Sequence, residues 1–371
     1  MKKILVIGEL YSENLGDGII CQIVAKYFNK NYQVELLDLS GREGYIPTNS
    51  LFSLTKATIN FQKEKIKRIL YSFEYKKTGN NLSNIISAFK KSFNMKINKF
   101  FPDSIIFAGG QLFNDSFIHQ IYYVCNFANK NNIKVIFNEI GSRNILYRDL
   151  LYDIFKLDCI KYISTRDNYE YISSFCNKNI VDNYDPAILC NDFFNVNKIE
   201  SFNLGIGIMF SPRQSPIVQK KFWKEVLKEL YSKKIQFKIF TNGSMCDQSF
   251  VEQILKELKL NQSSYLMSRP TNPEELILCI NSFNAIISMR LHSLIISYSY
   301  NIPTLGISWD KKVNEFYKKI KYNNHCLNFK SDIKEILKFA LNHDNHYNNN
   351  EKKIIRNKIY DNFKEIERII K

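Results

Sequence analysis

The sequence predicts an α/β protein that consists of two domains, each built on a parallel β-sheet. Short apolar runs alternate along the chain with segments in which apolar residues recur every three or four positions. The runs are continuous, as expected for parallel strands that are buried on both faces. A polar stretch without clear periodicity, residues 191–203, separates two series of these runs. With 371 residues, 45% of them hydrophobic, the chain is long enough to form two cores.

The apolar runs that are predicted to be strands fall into an N-terminal and a C-terminal series. The first comprises Ile4–Ile7, Val34–Leu39, Ser104–Ala108, Lys134–Ile140 and Tyr162–Thr165. The second comprises Leu204–Phe210, Ile235–Phe240, Ala285–Ser288 and Pro303–Ser308. Strands that alternate with helices favour parallel sheets covered by helices. We therefore expect two Rossmann-like domains that face a cleft, over residues 1–195 and 200–345.

Three segments carry the clearest helical patterns. Apolar residues recur at helical spacing in Phe222–Tyr231 and in Glu274–Phe283. The second of these follows Asn272 and Pro273, a capping side chain and a first-turn proline that favour a helix start. Residues 351–371 are strongly amphipathic, and we expect this C-terminal helix to pack back across the two domains.

A basic segment, residues 56–99, interrupts the alternation within the N-terminal domain. It contains eleven Lys and Arg residues against two Glu, and its apolar residues have the spacing of two amphipathic helices. The segment is either a solvated helical excursion or a surface for peripheral docking to an anionic membrane or a lipid-linked polyanion. Nucleic-acid binding is a third interpretation, but no nucleic-acid-binding motif is present and we expect no such partner.

The whole chain is also basic, with 52 Lys and Arg against 36 Asp and Glu and a formal net charge of +16. Such a surplus favours an anionic partner, which includes phosphorylated substrates, nucleic acids and membrane surfaces. It also fits a compositional bias, because Lys, Asn and Ile are frequent throughout. Net charge alone therefore does not identify the function.

Export, membrane-spanning and metal-binding classes are disfavoured by the sequence. The run Ile4–Ile7 is too short for an export signal, and no stretch of about 18 uninterrupted apolar residues predicts a transmembrane helix. The eight cysteines form no C-x-x-C pair, and the five histidines lack metal-ligand spacing. We expect reduced thiols, no metal and a cytoplasmic location, with the inner face of the cell membrane as the alternative.

Two loops of the N-terminal domain are candidates for ligand binding, because ligands bind outside the carboxyl ends of parallel strands. The loop after the first strand contains Asn14, Gly16 and Asp17. Asp17 either caps the following helix or points into the cleft as a base or as an acceptor for sugar hydroxyls. The loop after the third strand contains Gly109, Gly110 and Gln111. It is either a tight turn or a place where the backbone approaches a ligand.

Arg166 and Asp185 follow later strands of the same domain. Arg166 could clamp an anion, but an ion pair with a neighbouring carboxylate is the preferred interpretation. Asp185 precedes a proline, which is typical of a turn.

The C-terminal domain has arginines and a histidine directly after two predicted strands. Arg213 follows the strand Leu204–Phe210, and Arg290 and His292 follow Ala285–Ser288 just before a helix. Arginine matches the geometry of carboxylates and phosphates, and histidine titrates near neutral pH. The pattern predicts a site for an anionic substrate that requires proton transfer, with a satisfied core histidine as the alternative to a catalytic one.

Taken together and in this order, the motifs resemble those of the polysaccharide pyruvyl transferase family over roughly residues 1–320. The motifs are NLGDG (14–18), AGGQLF (108–113), STRD (164–167), YDPA (184–187), SPR (211–213) and MRLHS (289–293). Two features depart from the family pattern. Gln111 stands where a third glycine is common, and residues 56–99 have no counterpart.

The resemblance implies a GT-B-like fold and transfer of the pyruvyl group of phosphoenolpyruvate onto a sugar. The product is a cyclic ketal on a surface polysaccharide or its precursor, phosphate is released, and no cofactor is needed. The acceptor is a saccharide, either lipid-linked or polymeric. The resemblance places Arg213, Arg290 and His292 at the donor site, near the helix N-terminus at Ser293, with His292 as general acid or base. Asn14 and Asp17 correspond to the family's N-terminal loop.

Two other functions fit parts of the pattern. A GT-B glycosyltransferase that uses a nucleotide-sugar donor would have similar domains and a similarly basic cleft. A catalytically idle scaffold on anionic membranes is the third hypothesis, which the presence of both Arg290 and His292 argues against.

Overall fold

The computed structural model describes residues 1–45, 79–197, 201–211, 213–342 and 347–371. The first of the two predicted basic helices and residue 212 of the SPR motif lie outside the described residues.

The N-terminal half is a six-stranded parallel sheet covered by helices. The strands are β1 (Lys3–Gly8), β2 (Gln33–Asp38), β3 (Ser104–Ala108), β4 (Lys134–Ile140), β5 (Ile160–Thr165) and β6 (Val181–Asp182). They lie in the order β2-β1-β3-β4-β5-β6. The helices are α1 (Leu15–Phe28), α2 (Gly79–Lys99), α3 (Ile118–Lys130), α4 (Arg148–Lys156), α5 (Tyr169–Ser173) and α6 (Cys190–Phe193).

The C-terminal half is a five-stranded parallel sheet, also covered by helices. The strands are β7 (Phe202–Gly207), β8 (Phe237–Phe240), β9 (Phe283–Ser288), β10 (Thr304–Ser308) and β11 (Cys326–Asn328). They lie in the order β11-β10-β9-β7-β8. The helices are α7 (Pro216–Ser232), α8 (Met245–Leu258), α9 (Gln262–Tyr265), α10 (Pro273–Asn281), α11 (Leu291–Ser299), α12 (Lys311–Lys319), α13 (Ile333–Leu341) and α14 (Asn349–Ile370).

Two parallel sheets with helices confirm the predicted α/β class. The strands β6 and β11 were not predicted, because they have only two and three residues and so carry no hydrophobic pattern. The helix expected over Glu274–Phe283 ends at Asn281, and Phe283 is the first residue of β9.

Each sheet has a point at which the strand order reverses, and ligand sites in open α/β sheets lie there. In the N-terminal sheet β1 lies between β2 and β3, and in the C-terminal sheet β7 lies between β9 and β8. The loops that follow β1, β3, β7 and β9 carry the predicted site motifs. The topology therefore brings these loops to the carboxyl ends of the central strands.

Apolar packing joins the two halves behind these loops. One buried cluster contains side chains of α1, α10 and α11, among them Leu15, Ile20, Leu276 and Leu294. Because the cluster contains residues of both halves, the two halves pack directly against each other behind the loops.

The C-terminal helix α14 bonds to both halves. Asn362 donates to the Asn138 side chain (2.8 Å) and accepts from the Tyr162 hydroxyl (2.7 Å) in the N-terminal half. In the C-terminal half, the buried Lys352 ammonium donates to the carbonyl of Ser299, the last residue of α11 (2.7 Å).

Helix α2 is the described part of the basic segment. Phe89 and Phe93 on one face are buried in the N-terminal core, whereas Lys90, Lys91 and Lys99 are exposed. None of the helices in the described part of the chain is long and apolar enough to cross a membrane.

Candidate active site

A cleft of about 540 Å³ lies between the two sheets. It is lined from the N-terminal half by Glu9, Asn14, Asp17, Gln111, Arg143 and Arg166. From the C-terminal half it is lined by Arg290, His292, Trp309 and Lys312. The structure therefore brings six of the predicted site residues together, and Glu9, Arg143, Trp309 and Lys312 are among the lining residues that were not predicted to be in the site.

His292 lies in the first turn of α11 and points away from solvent, with 5% of its surface exposed. Its Nε2 atom lies 3.9 Å from Asp17 Oδ1 and 3.8 Å from Asp185 Oδ2. That buried nitrogen has no hydrogen-bond partner among the described residues. His292 lines the cleft, and a buried imidazole nitrogen without a hydrogen-bond partner differs from that of a satisfied core histidine.

Some of the charges around His292 raise its pKa and others lower it. Burial lowers the pKa of His292 below its ordinary value of 6.5, while Asp17 and Asp185 raise it, and Arg166 and Lys312 lower it. The net effect is a lowered pKa, so the ring is neutral at neutral pH. The two carboxylates stabilise the imidazolium that forms when the ring takes up a proton.

Gly16 makes the close packing of the imidazole possible. A Cβ atom at position 16 would lie 2.1 Å from His292 Cγ and 2.3 Å from His292 Nδ1. Only a residue without a side chain fits there, so the glycine in the N-terminal loop has a direct packing role against the C-terminal half.

Asp17 does not cap α1, which was one of the two interpretations left open by the sequence. The N-cap position is Asn14, and no side chain caps the helix through a hydrogen bond. Instead the side-chain amide of Asn14 donates from Nδ2 to Asp17 Oδ2 (2.8 Å), and Asp17 Oδ1 faces His292. Asn14 thus fixes the orientation of the Asp17 carboxylate in the cleft.

The glycine loop after β3 is a turn that packs closely against α1, and an approach of its backbone to a ligand stays a prediction. Gly109 and Gly110 have φ angles of +44° and +76°, a conformation that L side chains rarely adopt. A Cβ on Gly109 would also lie 2.4 Å from Ile20 Cγ2. The next residue, Gln111, lines the cleft and accepts a hydrogen bond from Arg143 Nε (2.7 Å).

Arg166 forms the ion pair that the sequence favoured. Its Nη1 group donates to Asp185 Oδ2, and its Nε lies 3.8 Å from Asp167 Oδ2. The other Asp185 oxygen accepts from the Ala187 amide (2.9 Å), which is the expected turn geometry. Arg166 therefore lines the cleft with part of its guanidinium already bonded.

Arg290 also forms an ion pair, and its partner, Asp247, was not identified from the sequence. Its Nε donates to Asp247 Oδ2 (2.9 Å), and its Nη2 donates to the same oxygen. Asp247 is buried, and burial raises the pKa of its carboxyl while Arg290 opposes that shift. This pairing leaves Arg290 Nη1 for a ligand.

The two remaining predicted donor-site residues do not line the cleft. The Ser293 side chain is fully buried and donates to Asn242 Oδ1 (2.6 Å). Arg213 is half-exposed and forms an ion pair with Asp310 at the start of α12. Its guanidinium lies 6.0 Å from the centre of the Trp309 ring, which itself lines the cleft.

Lys312 is the cationic group that the sequence interpretation missed in the C-terminal half. It follows β10 in the segment Trp309-Asp310-Lys311-Lys312, at a strand end like those of Arg213 and Arg290. Burial lowers the pKa of Lys312 to about 8, with Asp310 acting against the shift. The two arginines were identified by their position directly after a parallel strand, which we call the strand-end rule. The same rule could have identified this lysine.

The cleft is lined by charges of both signs. The cationic side chains are Arg143, Arg166, Arg290 and Lys312, and the carboxylates are Glu9, Asp17 and Asp115. Anions fit the first group, and neutral hydroxyls fit the second. Among the described residues, no group of three or more His, Cys, Asp or Glu side chains is placed to hold a metal ion.

Solved structures similar to this chain share its architecture at low identity. A UDP-GlcNAc 2-epimerase from Methanocaldococcus jannaschii matches with a TM-score of 0.55 and 11% identity over 97% of this chain and 100% of that one. S. aureus MnaA, solved with UDP, matches with a TM-score of 0.53 and 12% identity over 92% and 88%. A Listeria monocytogenes protein assigned as a UDP-N-acetylglucosamine 2-epimerase matches with a TM-score of 0.56 and 10% identity over 96% and 90%. These neighbours confirm the predicted GT-B-like fold.

The family comparison concerns the sequence itself. No curated protein sequence matches the chain significantly. Residues 14–311 match the family model of the polysaccharide pyruvyl transferases, a span that contains the N-terminal loop, the glycine loop, Arg290 and His292. The chain therefore belongs to the polysaccharide pyruvyl transferase family, and it is a transferase.

Proposed function

We propose that the protein transfers the pyruvyl group of phosphoenolpyruvate onto a diol of a saccharide as a cyclic ketal, with release of phosphate. The observation that carries the proposal is the position of His292, which lines a cleft with four cationic side chains and whose buried Nε2 has no hydrogen-bond partner among the described residues. Phosphoenolpyruvate has a carboxylate and a phosphate, and its conversion to a ketal requires proton transfers.

The cationic side chains of the cleft suit the donor. Arginine guanidinium groups bind carboxylates and phosphates through paired hydrogen bonds, and the lysine adds a point charge. Asp247 and Asp185 orient Arg290 and Arg166 beforehand, so less side-chain entropy is lost on binding. Lys312 and Arg143 complete the set, and we assign all four to the donor anions.

His292 is proposed to act as the general base for the attacking sugar hydroxyl. The neutral ring can take up the hydroxyl proton, and Asp17 and Asp185 then stabilise the resulting cation. The hydroxyl oxygen forms a bond to C2 of the donor, phosphate departs from the same carbon, and the second hydroxyl closes the ring.

The acceptor is proposed to bind beside the loop after β1. Asn14 and Asp17 provide donor and acceptor groups for sugar hydroxyls in this loop. The acceptor is part of a surface polysaccharide or of its lipid-linked precursor. In the second case, the basic segment would bring the enzyme to the inner face of the anionic membrane, as its exposed lysines on α2 support.

Incubation with phosphoenolpyruvate tests the proposal directly. The acceptors are hexosides with free 4- and 6-hydroxyls or free vicinal cis-hydroxyls, and the measurements are acceptor-dependent phosphate release and the mass of the glycan. We expect one phosphate for each ketal formed. A parallel incubation replaces phosphoenolpyruvate with UDP- and CMP-sugars.

The second candidate function is glycosyl transfer from a nucleotide sugar. It is favoured by the fold likeness to a protein solved with UDP. Release of UDP or CMP together with glycan extension, and no phosphate release from phosphoenolpyruvate, would replace the proposed function with this one.

Gly16→Ala is expected to lower turnover roughly tenfold, because the new methyl group would displace the His292 ring and misplaced catalytic groups lose much of their rate. The matched control is Gly44→Ala, where an added methyl group meets no atom of the described residues within 4 Å. The measurement is kcat for phosphate release by both variants. Equal kcat values for the two variants would contradict the packing role of Gly16.

A further inference from the structure

Glu9 is a partly buried titratable group in the cleft that the steps above leave without a role in proton transfer. It follows β1 directly, and its side chain is 19% exposed. Burial raises the pKa of Glu9 to about 8, with Asp17 and Asp38 adding to the shift and Arg42 and Arg143 opposing it. At neutral pH the carboxyl group therefore carries a proton.

Asp38 and Arg42 lie beside this carboxyl group on the N-terminal side of the cleft. The Asp38 side chain is fully buried and accepts hydrogen bonds from the Tyr11 amide (2.9 Å) and from Arg42 Nε (3.0 Å). Arg42 Nη2, which is buried and makes no hydrogen bond among the described residues, lies 3.7 Å from Glu9 Oε1. Asp38 thus orients Arg42, and the Arg42 guanidinium lies beside Glu9.

The charge of Asp17 acts on both Glu9 and His292, although these two residues come from different halves of the molecule. The Asp17 carboxylate lies 3.9 Å from His292 Nε2, and its charge is the largest electrostatic influence on Glu9. Arg143 and Lys312, which we assign to the donor, also belong to this part of the cleft. A donor molecule bound there would share one site with the protonated carboxyl group of Glu9 and the neutral imidazole of His292.

We propose that Glu9 is the catalytic acid that protonates the methylene carbon of phosphoenolpyruvate. The inference rests on the proposed function and divides the proton transfers between two residues. Ketal formation needs an acid for the methylene carbon and a base for the sugar hydroxyl, and enzymes separate such roles by placing titratable groups in different environments. His292 is the base, and Glu9 is the acid.

The step balances in atoms and charge. The Glu9 O–H bond breaks as the methylene π electrons form a C–H bond, so C3 becomes a methyl group and C2 becomes electrophilic. The first hydroxyl bonds to C2 and gives its proton to His292, and the C2–O bond to phosphate then breaks with its electron pair on the phosphate oxygen. The second hydroxyl bonds to C2. Of the two hydroxyl protons, one leaves with phosphate and the other restores Glu9.

Glu9→Gln tests the assignment, because glutamine has the shape and neutrality of the protonated glutamate but cannot give up a proton. We expect kcat for phosphate release at pH 7 to fall about 10²-fold, with KM for phosphoenolpyruvate within about threefold of the wild-type value. The matched control is Glu13→Gln, which removes an exposed carboxylate from the same loop and should leave kcat unchanged. Formate, a small carboxylic acid, should partly restore turnover of Glu9→Ala but not of Glu9→Gln.

The outcomes separate this inference from the proposed function. If wild-type enzyme forms the ketal and Glu9→Gln keeps more than about a third of its kcat, Glu9 is not the acid and the proposed function stands. The same conclusion follows if the loss lies in KM and formate does not rescue Glu9→Ala, since Glu9 then only binds substrate. If wild-type enzyme does not consume phosphoenolpyruvate, the proposed function and the role of Glu9 fail together.

Discussion

His292→Ala should lower kcat for phosphate release from phosphoenolpyruvate by about 10²–10⁴-fold while the protein stays folded. The substitution removes the imidazole that faces the cleft, and the carboxylates of Asp17 and Asp185 are left without the proton acceptor between them. The measurements are kcat and the thermal unfolding midpoint. Turnover near the wild-type value would remove His292 from the mechanism.

A second histidine provides the control for this result. His119 also has a pKa lowered by burial, but it lies on α3 and packs against Tyr147 instead of lining the cleft. His119→Ala should therefore keep wild-type kcat. If both variants lose turnover equally, the loss reflects general damage to the fold.

The lowered pKa of His292 also predicts a pH dependence of stability. The unfolded chain binds a proton at the ordinary pKa of 6.5, whereas the folded chain resists protonation of the buried ring. The neutral ring therefore contributes stability that is fully present above pH 6.5 and is lost as the pH falls below it. The free energy of unfolding should fall more steeply with acidification in wild-type protein than in His292→Ala.

The sequence carried enough information to predict the sheets and the centre of the site. Continuous apolar runs mark buried parallel strands, and the strand-end rule identified Arg290 and His292. The sequence could not identify Asp247 as the partner of Arg290. Asp247 comes from the first turn of α8, and only the folded chain brings the two side chains together.

Two predicted donor-site residues, Arg213 and Ser293, do not line the cleft because their side chains bind other residues of the protein. Arg213 is at a strand end, as predicted, but Asp310 from the end of a different strand binds its guanidinium. Ser293 lies in the first turn of an apolar helix, and its hydroxyl donates to Asn242 inside the core. Residue type and spacing show which groups can bind an anion, whereas the choice between ligand and internal partner depends on the tertiary structure.

Arg166→Met should reduce the free energy of unfolding by about 3–5 kcal/mol, which is the usual result of removing one member of a buried ion pair. Both side chains of the pair are nearly fully buried, with 5% and 6% exposed for Arg166 and Asp185. The substitution leaves the Asp185 carboxylate without its cation in that environment. The measurement is chemical denaturation, and Arg148→Met, at an exposed position at the start of α4, is the control.

The double variant Arg166→Met/Asp185→Asn separates the structural from the functional contribution of this pair. Replacing both charges should recover much of the lost stability, because an uncompensated buried charge costs more than a missing pair and asparagine keeps the oxygen that accepts from Ala187. Turnover should stay low, since the donor anions lose Arg166 and His292 loses one of the carboxylates that stabilise its cation. A double variant that regains both stability and kcat would limit the pair to a structural role. One that regains stability alone would show that the ion pair beneath His292 also serves the chemistry of the cleft.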